Sequence, residues 1–190
     1  KKACELIQKH QVEIVTVVPL MIHKILRENA AYLSSLRCIA SGGAVLSPSL
    51  IEEVKETLGD VLYNLYGTSE TGLNIIATPD DLTYSTCTIG KGIKGVKLKI
   101  VNHHQENAPR GTIGQLWVKS KGSMVNLHND WILTGDLGYQ DASGLYFLAG
   151  RQDDMIVSAG ENVYPIYVEN TLLEHPFIED VAVIGIEDEQ

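Results

Sequence analysis

The sequence predicts an α/β fold extended by a β part. A parallel sheet flanked by helices is followed by a small antiparallel β-barrel-like subdomain, and then by the start of a small α+β C-terminal domain. Three observations predict it. Between residues 13 and 66, β-branched runs alternate with stretches of helical spacing. From about Gly90 the pattern shortens to period-two strands separated by turn residues. After Gly150-Arg151-Gln152-Asp153-Asp154 it returns to helical spacing.

The elements follow in order. Glu13–Val18 is a β-branched run stopped by Pro19 and reads as a buried strand. Leu20–Glu28 places Met21, Ile22, Ile25 and Leu26 at helical spacing. Leu36–Ala40 is a short strand ending in Ser41-Gly42-Gly43-Ala44. Ser47 then caps a helix with Pro48 at its first position, Leu50, Ile51, Val54 and Leu58 on one face, and Gly59 as its stop. Val61–Tyr66 is the next strand. Strand, helix, strand, helix, strand implies a parallel sheet. Val96–Val101, Leu116–Val118 and Leu145–Leu148 are antiparallel strands, with turns at 107–111 and 141–144. Ile166–Leu173 reads as a helix and Val181–Ile184 as a final strand. A boundary near Asp153 divides residues 1–152 (1–89 the α/β sheet portion, 90–152 the β-rich part) from residues 153–190, the hinge and the truncated beginning of the next domain.

Composition narrows the function. Fifteen Lys and Arg stand against 24 Asp and Glu in 190 residues, a net charge of −9, and 44% of residues are hydrophobic. That apolar content excludes a disordered acidic tail. The acidic balance argues against nucleic acid as a partner, since a polyanion needs clustered Lys and Arg. The apolar stretches, such as Glu13–Met21, are too short and interrupted for a transmembrane segment. The start has no initiator Met and no signal-peptide pattern. Cys4, Cys38 and Cys87 lie far apart without CxxC spacing, which fits packed, reduced thiols in a cytoplasmic protein. Adjacent His103 and His104 would point to opposite faces of a strand, which disfavours a metal site between them.

Five polar segments carry the chemistry. Asn64-Leu65-Tyr66-Gly67-Thr68-Ser69-Glu70-Thr71-Gly72 follows a strand, at the sheet edge where open α/β folds bind ligands. Gly67 permits close backbone approach, Thr68 and Ser69 offer hydroxyls and N–H groups to anionic oxygens, and Tyr66 can stack on a base. Glu70 offers a carboxylate of the kind that phosphate-bound Mg²⁺ takes. The stretch reads equally as a polar turn after a strand. Ser41-Gly42-Gly43-Ala44 could let a flat ring lie on backbone, or be a tight turn into a helix. In Thr134-Gly135-Asp136-Leu137, the Asp136 carboxylate suits the paired hydroxyls of a ribose, or is a turn aspartate. Arg151 and Asp153 lie where a hinge would be, or in a solvated linker. Gly160 is free to turn in Ala159-Gly160-Glu161-Asn162-Val163-Tyr164-Pro165.

In this order and at these spacings, the segments resemble the adenylate-forming superfamily of acyl-CoA synthetases, peptide-synthetase adenylation domains and luciferases. Tyr66-Gly67-Thr68-Ser69-Glu70 is similar to its Tyr-Gly-x-Thr-Glu motif, Thr134-Gly135-Asp136 to its Thr-Gly-Asp motif, and Gly150–Glu169 to its hinge segment. The Gly-Glu-Asn-Val-Tyr-Pro wording is most similar to synthetases for fatty and aryl acids. The resemblance implies an ATP-dependent carboxylic acid–CoA ligase that forms acyl-AMP and then acyl-CoA, using ATP, Mg²⁺ and coenzyme A. It implies Ser69 and Glu70 as catalytic residues, with Glu70 the metal ligand. Gly43, Ala44 and Tyr66 would hold adenine, Asn64 would bond its amino group, and Gly67, Thr68 and Ser69 would meet the α-phosphate. Asp136 with Arg151 would take the ribose, and Asp153 would be the hinge. Gly160, Glu161 and Asn162 would approach pantetheine after rotation, and the region around Gly72, Leu73 and Asn74 would line the acyl pocket. Ser69 replaces the usual Thr, Val45 the usual Pro, and Gln115 a common Glu. The family's phosphate loop and C-terminal lysine are not in the chain, so it reads as an internal fragment, inactive alone. A carrier-protein-loading acyl-AMP ligase or adenylation domain, or a non-catalytic nucleotide-binding module, are the alternatives; oligomeric state is open.

Overall fold

A computed structural model describes residues 1–120, 130–173, 175, 177–178 and 181–186. The chain begins with helix α1 (Lys2–His10), which the sequence reading did not anticipate. Strand β1 (Ile14–Val17), helix α2 (Pro19–Leu26), a 3-10 turn (Ala30–Leu33) and strand β2 (Cys38–Gly42) follow. Next come helix α3 (Pro48–Leu58), strands β3 (Leu62–Thr68) and β4 (Gly72–Ala77), helix α4 (Pro79–Tyr84) and strand β5 (Thr88–Gly92). The β-rich part holds β6 (Val96–Val101), β7 (Gly114–Ser120), β8 (Ile132–Gln140) and β9 (Tyr146–Arg151). A two-stranded ribbon, β10 (Ile156–Ser158) and β11 (Glu161–Val163), leads to α5 (Pro165–Leu173).

The local chemistry of α3 is as the sequence indicates. The Ser47 hydroxyl accepts the Leu50 N–H, Pro48 sits at the first turn, and Gly59 ends the helix at φ 79°. Helix α4 starts with a full capping box: the Thr78 hydroxyl accepts the Asp81 N–H while the Asp81 carboxylate accepts the Thr78 N–H. Leu50, Ile51 and Val54 pack with Ile22, Ile39 and Leu62 in one core shared by the helices and the first strands. Each such buried side chain contributes on the order of 1.5–3 kcal/mol.

β1, β2 and β3 are parallel, as alternation with helices dictates. The antiparallel strands do not close a separate barrel among the described residues. They continue the same nine-stranded sheet in the order β1-β2-β3-β4-β5-β9-β8-β7-β6. The joint is β5 against β9, aligned at Thr88 with Phe147 and at Gly90 with Tyr146. A second, smaller core forms there from Tyr66, Ile75, Ile89, Ile100, Leu116 and Tyr146.

Three sequence readings need correction. β1 is an edge strand rather than a buried one: among the described residues it pairs only with β2, and Ile14 is 65% exposed. His103 and His104 lie in a turn rather than a strand, so their rings meet at 3.9 Å; no group of three metal-ligating side chains surrounds them among the described residues. Val181–Ile184 forms no strand, because its backbone finds a side chain instead of a ladder: the Val183 N–H donates to Glu169 Oε1 on α5 at 2.9 Å.

Candidate functional site

The turn after β2 and the end of β3 open into a cleft of about 660 Å³. Gly43 and Ala44 form one wall, and Asn64, Tyr66 and Gly67 line it from β3. Asp136 and Arg151 face them from β8 and β9. The volume is that of a small-molecule site. A second cavity of about 340 Å³ behind α3 and α4 contains none of the predicted site residues.

The centre of the cleft is a three-residue knot. Asp136 is only 8% exposed. The Tyr66 hydroxyl donates to Asp136 Oδ2 at 2.5 Å, and Arg151 Nη1 donates to Asp136 Oδ1 at 3.1 Å. Asp136 and Arg151 are register partners across β8 and β9, so the sheet itself sets the pair. Gly135 makes room for it: at φ +80°, a Cβ there would lie 3.1 Å from Arg151 Nη2. The Thr134 hydroxyl accepts the Asp136 N–H at 3.1 Å and donates to Leu116 O at 3.0 Å, fixing the turn. Burial, and then the bond to Asp136, push the Tyr66 phenol well above its ordinary value. The charge of Asp136 holds the Arg151 guanidinium above its own. A carboxylate has about four acceptor positions. Tyr66 and Arg151 use one on each oxygen, which leaves one on each for a pair of vicinal hydroxyls.

Beyond Gly67 the β3–β4 hairpin turns through Thr68, Ser69, Glu70 and Thr71. A Cβ on Gly67 would lie 2.1 Å from Gly72 O, so only glycine lets the two strands close there. The Thr68 and Thr71 hydroxyls are 2.9 Å apart, and the Thr71 N–H donates to Thr68 Oγ1 at 3.2 Å. Glu70 is exposed. Its carboxyl is held below the usual range by its own backbone N–H first and by the Thr68 hydroxyl next; Arg151 adds its positive charge. An ionised, exposed carboxylate beside two hydroxyls fits a hard divalent cation, which takes one or two carboxylates with water and phosphate oxygens.

The predicted residues therefore divide. Gly43, Ala44, Asn64, Tyr66, Gly67, Asp136 and Arg151 share one cleft. Thr68, Ser69 and Glu70 form the adjoining hairpin tip. Asp153 borders an adjoining cavity of about 850 Å³ between the 150–156 segment and α5, which shares Arg151 with the cleft. Gly160, Glu161 and Asn162 stand in the exposed β10–β11 turn, outside the cleft lining. Gly72 and Leu73 are exposed, whereas Asn74 is fully buried. The sequence reading missed the cleft's aromatic bank. Tyr139 and Phe147 stack at 4.9 Å and 7°, and Tyr167 from α5 joins them in the lining. The signal was available: Tyr139 and Phe147 flank the turn at 141–144 of one hairpin and are register partners. Cys87 is exposed and also lines the cleft.

The family model "AMP-binding enzyme" matches residues 1–126. The 2-succinylbenzoate–CoA ligase of Oceanobacillus iheyensis is 33% identical over 207 residues, covering 100% of this chain and 42% of that protein. The amide bond synthetase McbA of Marinactinospora thermotolerans superposes with a TM-score of 0.90 at 31% identity, over 99% of this chain and 41% of that one. The O-succinylbenzoate coenzyme A synthetase of Bacillus subtilis, solved in complex with ATP and magnesium ion, gives 0.88 at 30% identity, over 99% and 42%. The chain thus spans well under half the length of these relatives. The match over most of its length, with the fold and the ordered motifs, shows that this chain belongs to the AMP-binding enzymes, the adenylate-forming superfamily.

Proposed function

We propose that the full-length protein is an ATP-dependent acid–thiol ligase: a carboxylate oxygen attacks the α-phosphorus of ATP, pyrophosphate leaves, and the thiol of coenzyme A then displaces AMP from the acyl-AMP. The observation that carries this reading is the buried Asp136 carboxylate, held by Tyr66 and Arg151 in the wall of a nucleotide-sized cleft. Asp136 accepts the ribose hydroxyls at its two remaining positions. Gly43, Ala44 and Tyr66 bracket adenine, and Asn64 hydrogen-bonds its amino group. Thr68 and Ser69 donate to α-phosphate oxygens, where charge develops as the leaving group departs. Bound at Glu70, Mg²⁺ would neutralise phosphate charge.

Asp153 serves as the hinge between residues 1–152 and the following domain. The exposed Gly160, Glu161 and Asn162 turn belongs to the moving side and meets pantetheine after rotation. A cytoplasmic location fits the supply of ATP, coenzyme A and reduced thiols. The test is ATP–pyrophosphate exchange by the full-length protein across a panel of acids headed by aryl and fatty acids. Acid- and magnesium-dependent exchange is expected, followed by consumption of the coenzyme A thiol. Exchange without thiol consumption, but with loading of a carrier protein, would give the acceptor as a carrier. Absence of both exchange and AMP binding refutes the reading.

A further inference from the structure

We propose that Asn74 is a positioning residue: it sets the direction of a buried hydrogen-bond relay, Asn74 to Thr71 to Thr68, which makes the Thr68 hydroxyl an obligate donor at the hairpin tip. Asn74 is fully buried. It is the extra residue of a β-bulge, since Gly67 aligns with Leu73 and Tyr66 with Ile75, leaving Asn74 unpaired in the register. Bulges beside binding sites re-aim side chains. Here the bulge turns an amide inward where an alternating strand would have faced it away.

Proton accounting fixes the direction. Asn74 Nδ2 donates to Gly72 O at 2.9 Å; a carbonyl only accepts, so the amide orientation is set. Its second N–H goes to Thr71 Oγ1 at 2.5 Å, and the Thr68 N–H donates to the same oxygen at 3.4 Å. Both lone pairs of Thr71 Oγ1 are then filled, so its own proton goes to Thr68 Oγ1, 2.9 Å away. Thr68 Oγ1 also accepts the Thr71 N–H. Its lone pairs are filled in turn, and its hydroxyl can only donate outward. The exposed Glu70 carboxylate, which the Thr68 hydroxyl helps to hold below its usual range, is an acceptor for that proton. On the adenylating reading, on which the ligand but not the relay depends, a phosphate oxygen takes it. Asn74 Oδ1 meanwhile has no partner among the described residues although buried. Leaving a buried acceptor unpaired is costly, so Asn74 acts here through its two donors.

Asn74→Asp keeps the shape and reverses the relay: a carboxyl this buried stays protonated and donates to Gly72 O, so its other oxygen accepts from Thr71, which then takes the Thr68 proton. AMP binding to the full-length protein, measured by calorimetry, is expected to weaken roughly 10-fold or more. In a Thr68→Val background, which lacks the terminal donor, the same change should weaken it no further; a purely structural role would add its full loss there. Thr71→Val should reproduce the weakening and Thr71→Ser should restore most of it, which decides the matter if Asn74→Asp does not fold. AMP affinity within 2-fold of native in either Asn74→Asp or Thr71→Val overturns the proposal. A ligand-free readout separates it from the adenylating reading: thermal midpoints of Asn74→Asp, Thr71→Val and the double variant should be non-additive. Non-additive midpoints in a protein that binds no AMP would keep the Asn74–Thr71 coupling and sink the nucleotide reading. Additive midpoints would sink the relay.

Discussion

Tyr66→Phe removes one oxygen and leaves the ring in place. Tyr66 is 9% exposed, and its hydroxyl is one of two side-chain donors that hold the Asp136 carboxylate. A hydrogen bond to a charged group is worth about 1.5–3 kcal/mol net. The remaining donor, Arg151, has a side chain that is 52% exposed, so solvent screens its compensation. The variant should lose about 1.5–3 kcal/mol, or roughly 4–10 °C in thermal midpoint. The pH dependence gives an independent sign. Burial, and then the Asp136 bond, raise the folded phenol above its ordinary value of 10.0. Above that pH the unfolded phenol ionises while the folded one does not, so native stability falls with rising pH, by up to about 1.4 kcal/mol per unit. The Phe variant lacks this loss. Tyr139, Tyr146 and Tyr167 occur in both proteins and cancel. The difference between native and variant should therefore be full below pH 10 and close above it, read by circular dichroism melting from pH 7 to 11. A midpoint within about 1 °C of native at pH 7, or a difference that stays constant to pH 11, refutes the reasoning.

Other outcomes follow from the same geometry. Gly67→Ala must push the hairpin apart, because its Cβ would meet Gly72 O at 2.1 Å; a cost of about 1–3 kcal/mol should appear in urea unfolding, with AMP binding lost. Glu70→Gln should lower pyrophosphate exchange by the full-length protein at least 100-fold, as removal of charge stabilisation at a reacting phosphate does (about 10²–10³), with AMP affinity nearly unchanged; unaltered exchange would assign the cation elsewhere. Cys87 is exposed while Cys4 is buried, and burial raises the Cys38 thiol. Iodoacetamide should therefore modify Cys87 first, and AMP should slow that reaction; mass spectrometry showing equal rates with and without AMP would place the nucleotide outside this cleft.

The fold was legible in sequence wherever local chemistry decides it. Ser47, Pro48 and Gly59 bound α3 because a cap, a fixed φ and a left-handed stop act within a few residues. Strands β6, β7 and β9 follow from alternation and turns. Helix α1 escaped because Cys4 and Ile7 are its only buried residues, too few to show a period. β4 escaped because the bulge at Asn74 places two consecutive residues, Asn74 and Ile75, in the interior and breaks the alternation. The order of the motifs indicated one cleft, but sequence could not show which donors would hold Asp136. The Tyr66 contact spans 70 residues and depends on sheet order rather than on spacing. Asn74 read only as part of the region that would line the acyl pocket; its inward turn and full burial escaped, since burial is a tertiary property.

Among the described residues the two parts of the sheet are joined strand to strand along β5 and β9, and the cleft straddles that seam, with Tyr66 on one bank and Asp136 and Arg151 on the other. During synthesis the first bank emerges before the second, so a nascent chain that has not yet reached Arg151 holds an incomplete binding site. A ligand touching both banks acts as a rivet across the seam, and every increment of its affinity resists the parting of the two halves.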